Sequence, residues 1–116
     1  MEKFGAIIMK EVVKREFTPI LDQLENGPYM RNYLEEKISF FEQKYHGSFN
    51  PDIILGIQVL KDQLELNKDT AKLVKDIIDI NWEDDNAEIL YRSMVRCYKE
   101  LIKRNEEIMK LIRVED

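Results

Sequence analysis

Apolar residues recur every three or four positions through most of the chain, which is the period of an amphipathic α-helix. A first helical pattern covers residues 2–16. Thr18 and Pro19 then have the residue types that cap and begin a new helix, yet the apolar spacing continues to Leu24. The pattern therefore leaves open whether Pro19 kinks one helix or separates two.

The middle of the chain predicts three more helices. The first covers residues 29–45 and stops before Gly47, and the second begins with Asn50 as its cap and Pro51 in its first turn. This second segment, which continues to Leu64, is apolar nearly all round and is expected to be the central helix. The segment "NKDTAKLVKDIIDINW" predicts a separate helix after it.

The last two of these helices have the spacing of a helix-turn-helix unit, with a turn near Glu65. Lysines at three positions would decorate the second helix: Lys68, Lys72 and Lys75. Two ordinary packed helices explain the same apolar spacing, so DNA reading through this unit is the weaker of two interpretations.

The C-terminal segment predicts one long helix from Asn86 to about Val114. Asp85 through Glu88 resemble a capping box that opens it. Such a helix is about 43 Å long, at 1.5 Å per residue. A compact domain of this size is only roughly 28 Å across. Part of the helix is therefore expected to project from the domain or to meet a partner.

These patterns predict an all-α fold, a compact bundle of five to six helices with a long C-terminal helix. With 116 residues, 44% of them apolar, the chain is expected to form a single helical domain over residues 1–116. One cysteine indicates a reducing compartment, and the N-terminal apolar run is too short for a signal peptide or a membrane span. We expect a cytoplasmic protein without membrane contact.

Positive charge is concentrated on the last helix although the chain has a net charge of -5. A basic ridge occupies a band roughly 60° wide on that helix. It consists of Arg92, Arg96, Lys99, Lys103 and Lys110. The ridge is interpreted as a solvated helix face, as a dock for an acidic protein surface, or as a contact to nucleic-acid phosphates. An acidic patch could complement it, within the chain or in a second copy: Asp76, Asp79, Glu83, Asp84 and Asp85.

The apolar side of the same helix predicts an oligomer interface. Its residues are Tyr98, Leu101, Asn105, Ile108, Met109 and Ile112. Asn105 is a lone polar residue near the centre of the apolar arc, where such a residue fixes register between helices or lies beyond the core. A homo-oligomer is expected.

Candidate catalytic residues are few. His46 is the only histidine and Cys97 the only cysteine, and neither has a sequence partner that would make it a metal ligand or an activated nucleophile. Cys97 is expected to pack as a small apolar residue. Asp76, Asp79 and Glu83 could share a helix face for magnesium, but the paired acidic motif of helical pyrophosphatases is missing. The sequence thus predicts no catalytic residue, no metal and no cofactor.

We therefore expect a non-enzymatic protein–protein interaction module, such as a small regulator, an inhibitor or an assembly subunit, that self-associates through its C-terminal helix. The alternative is a helical subunit that contacts nucleic-acid backbone through the basic ridge.

Overall fold

The computed structural model describes residues 3–28 and 30–114, and this part of the chain is helical without a β-strand. Four helices are present: α1 (Lys3–Asn26), α2 (Arg31–Lys44), α3 (Pro51–Ile78) and α4 (Ala87–Val114). The all-α prediction is confirmed, whereas the predicted count of five to six helices is wrong. Helices α3 and α4 have 28 residues each, so α4 is not longer than every other helix.

The sequence predicted a turn between two helices near Glu65. In the structure α3 continues through this position. No glycine or proline interrupts residues 57–78. Two of the polar residues near the predicted turn, Asn67 and Thr70, are buried and hydrogen-bonded. Thr70 Oγ1 donates to the Leu66 carbonyl at 2.7 Å, and Asn67 Nδ2 donates to the Leu24 carbonyl at 3.0 Å. Since the two predicted helices are one rod, the helix-turn-helix interpretation is excluded.

Helix α1 likewise continues through Pro19. Proline removes one backbone donor and normally kinks a helix. Pro19 is exposed, so the carbonyl that loses its partner can be hydrated. The question that the sequence left open is thereby resolved in favour of one helix.

Helix α3 is the centre of the molecule, as predicted, because it packs against each of the other three helices. Asn67, in the middle of α3, meets Leu24 near the end of α1. Helix α2 follows after a tight turn and packs on the first half of α3. Helices α1 and α2 thus form one interrupted rod beside α3, and α4 forms the third rod.

The resulting body is elongated rather than compact. It measures 61 × 22 × 21 Å, and its radius of gyration is 18.0 Å. A compact chain of this length would have a radius of gyration of about 13 Å. The last helix was expected to extend beyond the rest of the domain. This expectation is wrong, because all three rods are long. Helix length gives no argument for a partner.

Apolar packing divides into two clusters along the body. The larger one joins α1, α3, the α3–α4 connection and the start of α4, and contains Ala6, Val13, Phe17, Leu24, Ala71, Val74, Ile77, Ile80, Trp82 and Ala87. The smaller one consists of Leu34 and Ile38 of α2 with Leu60 of α3, and Ile108 of α4 packs against it. Polar residues of α3 lie between the two clusters.

The helix starts agree with the sequence at α3 and differ by one residue at α4. The Asn50 side chain accepts from the backbone N–H of Asp52 at 2.9 Å, as an N-cap does. Before α4, the side chain of Asp84 rather than Asp85 accepts from the N–H of Asn86, at 2.8 Å. The capping box predicted to begin at Asp85 is therefore wrong, and the helix begins at Ala87.

Two glycines give a matched test of helix continuity. Gly56 lies inside α3, and a Cβ added there meets no atom within 4 Å. We expect Gly56→Ala to raise the free energy of unfolding by about 1 kcal/mol, since alanine loses less backbone entropy in a helix. Gly47 has a φ of 76°, so Gly47→Ala should lower that free energy by about 1 kcal/mol. Urea unfolding measures both; a destabilising Gly56→Ala would contradict the continuous helix.

Candidate functional site

Helix α4 is covered by the rest of the chain on one side only. Among its described side chains, only Ala87 and Asn105 are buried. Its other apolar residues on the α3 side are half-buried, among them Tyr91, Val95 and Ile102. An amphipathic helix in a closed bundle buries most of its apolar stripe. The stripe of α4 is therefore left partly open.

The open edge of α4 borders a groove between α4 and α1. No Cα atom of α1 comes within 8 Å of a Cα atom of α4 in the described chain. Phe17 of α1 bridges the two helices, with its ring 5.7 Å from that of Tyr98 and 6.4 Å from that of Tyr91. Beside this bridge lies a cavity of about 350 Å³. Its walls are Pro19, Ile20, Gln23 and Leu24 of α1, Met30, and Tyr98, Ile102, Asn105 and Glu106 of α4.

Asn105, at the groove, belongs to a buried polar layer within the chain. Its side-chain N–H groups donate to Thr70 Oγ1 at 3.2 Å and to the Leu101 carbonyl at 3.0 Å, and its oxygen accepts from Gln63. Gln63 and Thr70 are fully buried. Asn105 entered the predicted interface because it was a lone polar residue on an apolar face. Since its partners lie in α3, that reason no longer holds.

The other predicted interface residues occupy two edges of α4. Tyr98 lies at the groove, whereas Ile108 packs against the α2–α3 cluster on the other edge. Leu101 is half-buried. The side chains of Met109 and Ile112 lie outside the described residues. Sequence analysis did not single out Val95, Ile102, Pro19 or Ile20, because periodicity does not show which edge of an apolar arc stays open.

All five residues of the basic ridge are exposed. Arg92 pairs with Glu88 one turn before it, at 2.7 Å. The remaining four form no ion pair with any described residue. Stepping about 100° per residue places Glu88 and Glu106 along one border of the ridge, and Glu100 and Glu107 along the other. The ridge is therefore a basic band between two lines of carboxylates.

The acidic patch is exposed at all five positions. No ion pair joins it to the ridge among the described residues. On α3, Asp76 lies about 130° away from Gln63 and Thr70, which face α4. Asp79 ends α3, and the other three acidic residues lie in the α3–α4 connection. Pairing of patch and ridge within the chain is thus not found in the described part.

The residues considered for catalysis are dispersed. His46 is exposed in the α2–α3 connection, and Cys97 is exposed on α4, so the prediction that Cys97 packs in the core is wrong. Glu42, four positions before His46, forms an ion pair with Lys61 at 3.7 Å. Among the described residues, no three His, Cys, Asp or Glu side chains are grouped to hold a metal ion. No helix in the described part is long and apolar enough to cross a membrane.

Comparisons with protein-family models, with curated proteins and with solved structures found no match to this chain. The open groove edge of α4, with charged residues alongside, is therefore the candidate site on the evidence of its own geometry.

The buried hydrogen bonds of Asn105 predict that an apolar substitution at this position lowers the free energy of unfolding strongly, even when the side-chain shape is kept. Asn105→Leu keeps the branched shape and the number of side-chain heavy atoms but leaves the Gln63 amide N–H buried without its partner. We expect the free energy of unfolding in urea to fall by about 2–3 kcal/mol. Ser93→Leu, on the exposed side of α4, serves as control and should change it by less than about 0.5 kcal/mol. Equal effects of the two substitutions would show that the layer contributes nothing specific.

The groove also predicts the titration of its tyrosines. The pKa of Tyr98 is raised by burial, and then by the charges of Glu106 and Glu16; the pKa of Tyr91 is raised by burial and by Glu16. We expect Glu106→Gln to lower the pKa of Tyr98 while that of Tyr91 stays unchanged, and Glu16→Gln to lower both. NMR titration of the ring resonances measures each phenol separately, and equal shifts with Glu106→Gln would contradict the geometry.

The raised pKa values of Tyr91 and Tyr98 also determine how the stability of the fold changes with pH. A phenol whose pKa is higher in the folded than in the unfolded chain contributes stability that is complete below the unfolded value, about 10. That contribution is lost as the pH rises through the folded pKa. Glu106→Gln should make the loss smaller, because the folded and unfolded pKa values of Tyr98 then lie closer together.

Proposed function

We propose that this protein is a non-enzymatic protein–protein interaction module, acting as a small regulator, inhibitor or assembly subunit, that self-associates through α4. The observation that carries the proposal is the uncovered groove edge of α4, where Val95 and Ile102 are only half-buried and the groove adds Pro19 and Ile20 of α1. A contiguous apolar surface of this kind, bordered by charge, is typical of a protein interface.

A second chain would cover only part of the surface of the protein. A standard interface buries about 800 Å² on each partner. The protein has 8301 Å² of accessible surface, so such an interface would use about a tenth of it. The described part of α4 up to Lys110 is about 36 Å long, at 1.5 Å per residue. An interface of standard size would therefore extend along this length of α4 and onto the neighbouring edge of α1.

Contact with nucleic acid through the basic ridge is the less favoured function. Phosphate binding requires a surface whose net potential is positive over several charges. The carboxylates on both borders reduce that potential, and Glu100 and Glu107 lie against Lys103 and Arg104 around one surface depression. The whole chain has a net charge of -5. A protein partner suits this mixture of charges better.

The single cysteine favours a reducing compartment, and we place the protein in the cytoplasm on that ground. With Cys97 exposed, an oxidising compartment would leave a reactive thiol on the surface of α4. Neither argument bears on the partner itself.

Self-association predicts a mass of twice 13.9 kDa by light scattering or sedimentation at high micromolar concentration. Ile102→Glu places a charge at the groove edge and should return the protein to a monomer, because a carboxylate in an apolar contact costs several kcal/mol unless it is paired.

Ser93→Glu is the matched control. It adds the same charge to an exposed position on the far side of α4, and it should leave the dimer intact. Circular dichroism must show unchanged helix content for both variants. A wild-type mass of 13.9 kDa at every concentration would refute the proposal.

A further inference from the structure

Four charged residues beside the groove lie on one line of α4, as one acid–base pair on either side of Lys99, which shares that line. Glu88, Arg92, Glu106 and Lys110 fall within about 40° of one another when the helix advances about 100° per residue. We call them the α4 stripe. All four are exposed, with 63% of the Glu88 side chain and 73% of the Arg92 side chain accessible in their mutual ion pair. The stripe is thus free to meet another molecule.

The stripe is complementary to itself when a second copy is reversed. Its residues lie symmetrically about Lys99: Glu88 and Lys110 are both eleven positions away, and Arg92 and Glu106 are both seven positions away. In an antiparallel pair of α4 helices centred on Lys99, Glu88 lies opposite Lys110 of the second copy. Arg92 then lies opposite Glu106 of the second copy, and two-fold symmetry repeats both pairs.

We infer that the partner of this surface is a second copy of the chain, with its α4 lying antiparallel across the groove edge. This inference rests on the proposed function and specifies its partner and orientation. The antiparallel arrangement also sets the two helix dipoles in opposite directions, which is the favourable order. Reversing the second copy to a parallel orientation would place Glu88 and Lys110 each beside its own kind.

Apolar contact and charge have different roles in this arrangement. Val95 and Ile102 border the stripe on its groove side, so they bury apolar area when α4 of the second copy covers the edge. Exposed ion pairs contribute little affinity each, but opposed like charges reject wrong partners and registers. The apolar edge therefore supplies the affinity, and the stripe selects the orientation.

Lys99 opposes this arrangement, because it lies near the two-fold axis and faces Lys99 of the second copy. Its side chain is long and exposed, so the two ammonium groups can separate into water. The four pairs of the stripe outnumber this one repulsion. The dimer is therefore expected to be of moderate affinity.

The test is a charge exchange between two positions of one chain. Glu88→Lys and Lys110→Glu should each weaken the dimer about tenfold or more, since each substitution turns two attractive contacts into repulsive ones. The double variant E88K/K110E restores both attractions and should recover the wild-type dissociation constant. Residues 88 and 110 are about 33 Å apart along α4, so they can rescue each other only between two chains.

Mixing supplies a second readout. The two single variants, each weak alone, should form a heterodimer when combined, because both of their contacts are then attractive. Glu100→Lys, an exposed charge reversal on another side of α4, is the control and should change the dissociation constant by less than about twofold. Sedimentation equilibrium in low salt measures all of these proteins.

The outcomes separate this inference from the proposed function. If the wild type dimerises and Ile102→Glu abolishes the dimer, but E88K/K110E is as weak as the single variants, then self-association stands and the antiparallel register is refuted. If the wild type is monomeric, the proposed function and the inference fail together. Rescue in the double variant, with heterodimers on mixing, establishes both.

Discussion

The structure depends on a layer of polar residues in α3 that are buried beside hydrogen-bonding partners on the neighbouring helices, although Gln63 Oε1 has no partner among the described residues. Gln63, Asn67 and Thr70 are fully buried. Asn105 of α4 accepts a hydrogen bond from Gln63 and donates one to Thr70, and the Leu24 carbonyl of α1 accepts one from Asn67. A buried amide without a partner costs more than the bond itself contributes. The layer therefore fixes where α1 and α4 lie along α3.

Because α1 and α4 are each held by α3, they need not touch along their backbones. Phe17 reaches across to the rings of Tyr91 and Tyr98, and the groove follows from the space left beside this bridge. A shorter or rounder bundle would close such a space with a further helix. Here the elongated three-rod body, 61 Å in its longest dimension, leaves one edge of α4 uncovered. The candidate site is thus a consequence of how the core satisfies its polar groups.

The helical class, the central position of α3 and the caps around Asn50 could be predicted from the sequence, because each depends on local periodicity or on a local hydrogen bond. The continuity of α3 could not, since the polar segment from Glu65 to Thr70 looks like a turn until its partners on other helices are known. The basic ridge was visible as a pattern on a helical wheel. The groove was not, because the arc of α4 shows which residues are apolar but not which neighbours cover them.

The sequence pattern also did not show which charged residues lie near one another in the folded protein. The sequence suggested that the acidic patch near the end of α3 complements the ridge, but Asp76 lies on the far side of α3 from α4. The carboxylates that border the ridge on the helical wheel are those of α4 itself. Glu88 and Glu106 border it, and their spacing relative to Arg92 and Lys110 is informative only when α4 is known to be an unbroken helix.

The central claim is that two copies meet side by side through their α4 helices near Lys99, and the native Cys97 allows this contact to be measured directly. This cysteine is the only one in the chain and is exposed, so it can carry a spin label without any substitution. With helix axes about 10 Å apart and Cys97 on the outer side of each, the two Cα atoms lie about 15 Å apart, and labels on their arms about 25 Å apart. Pulsed electron–electron double resonance on the labelled dimer should give one narrow distribution of label-to-label distances near that value. A main distance above about 45 Å, the result of contact through an end of the 61 Å body, would contradict the account.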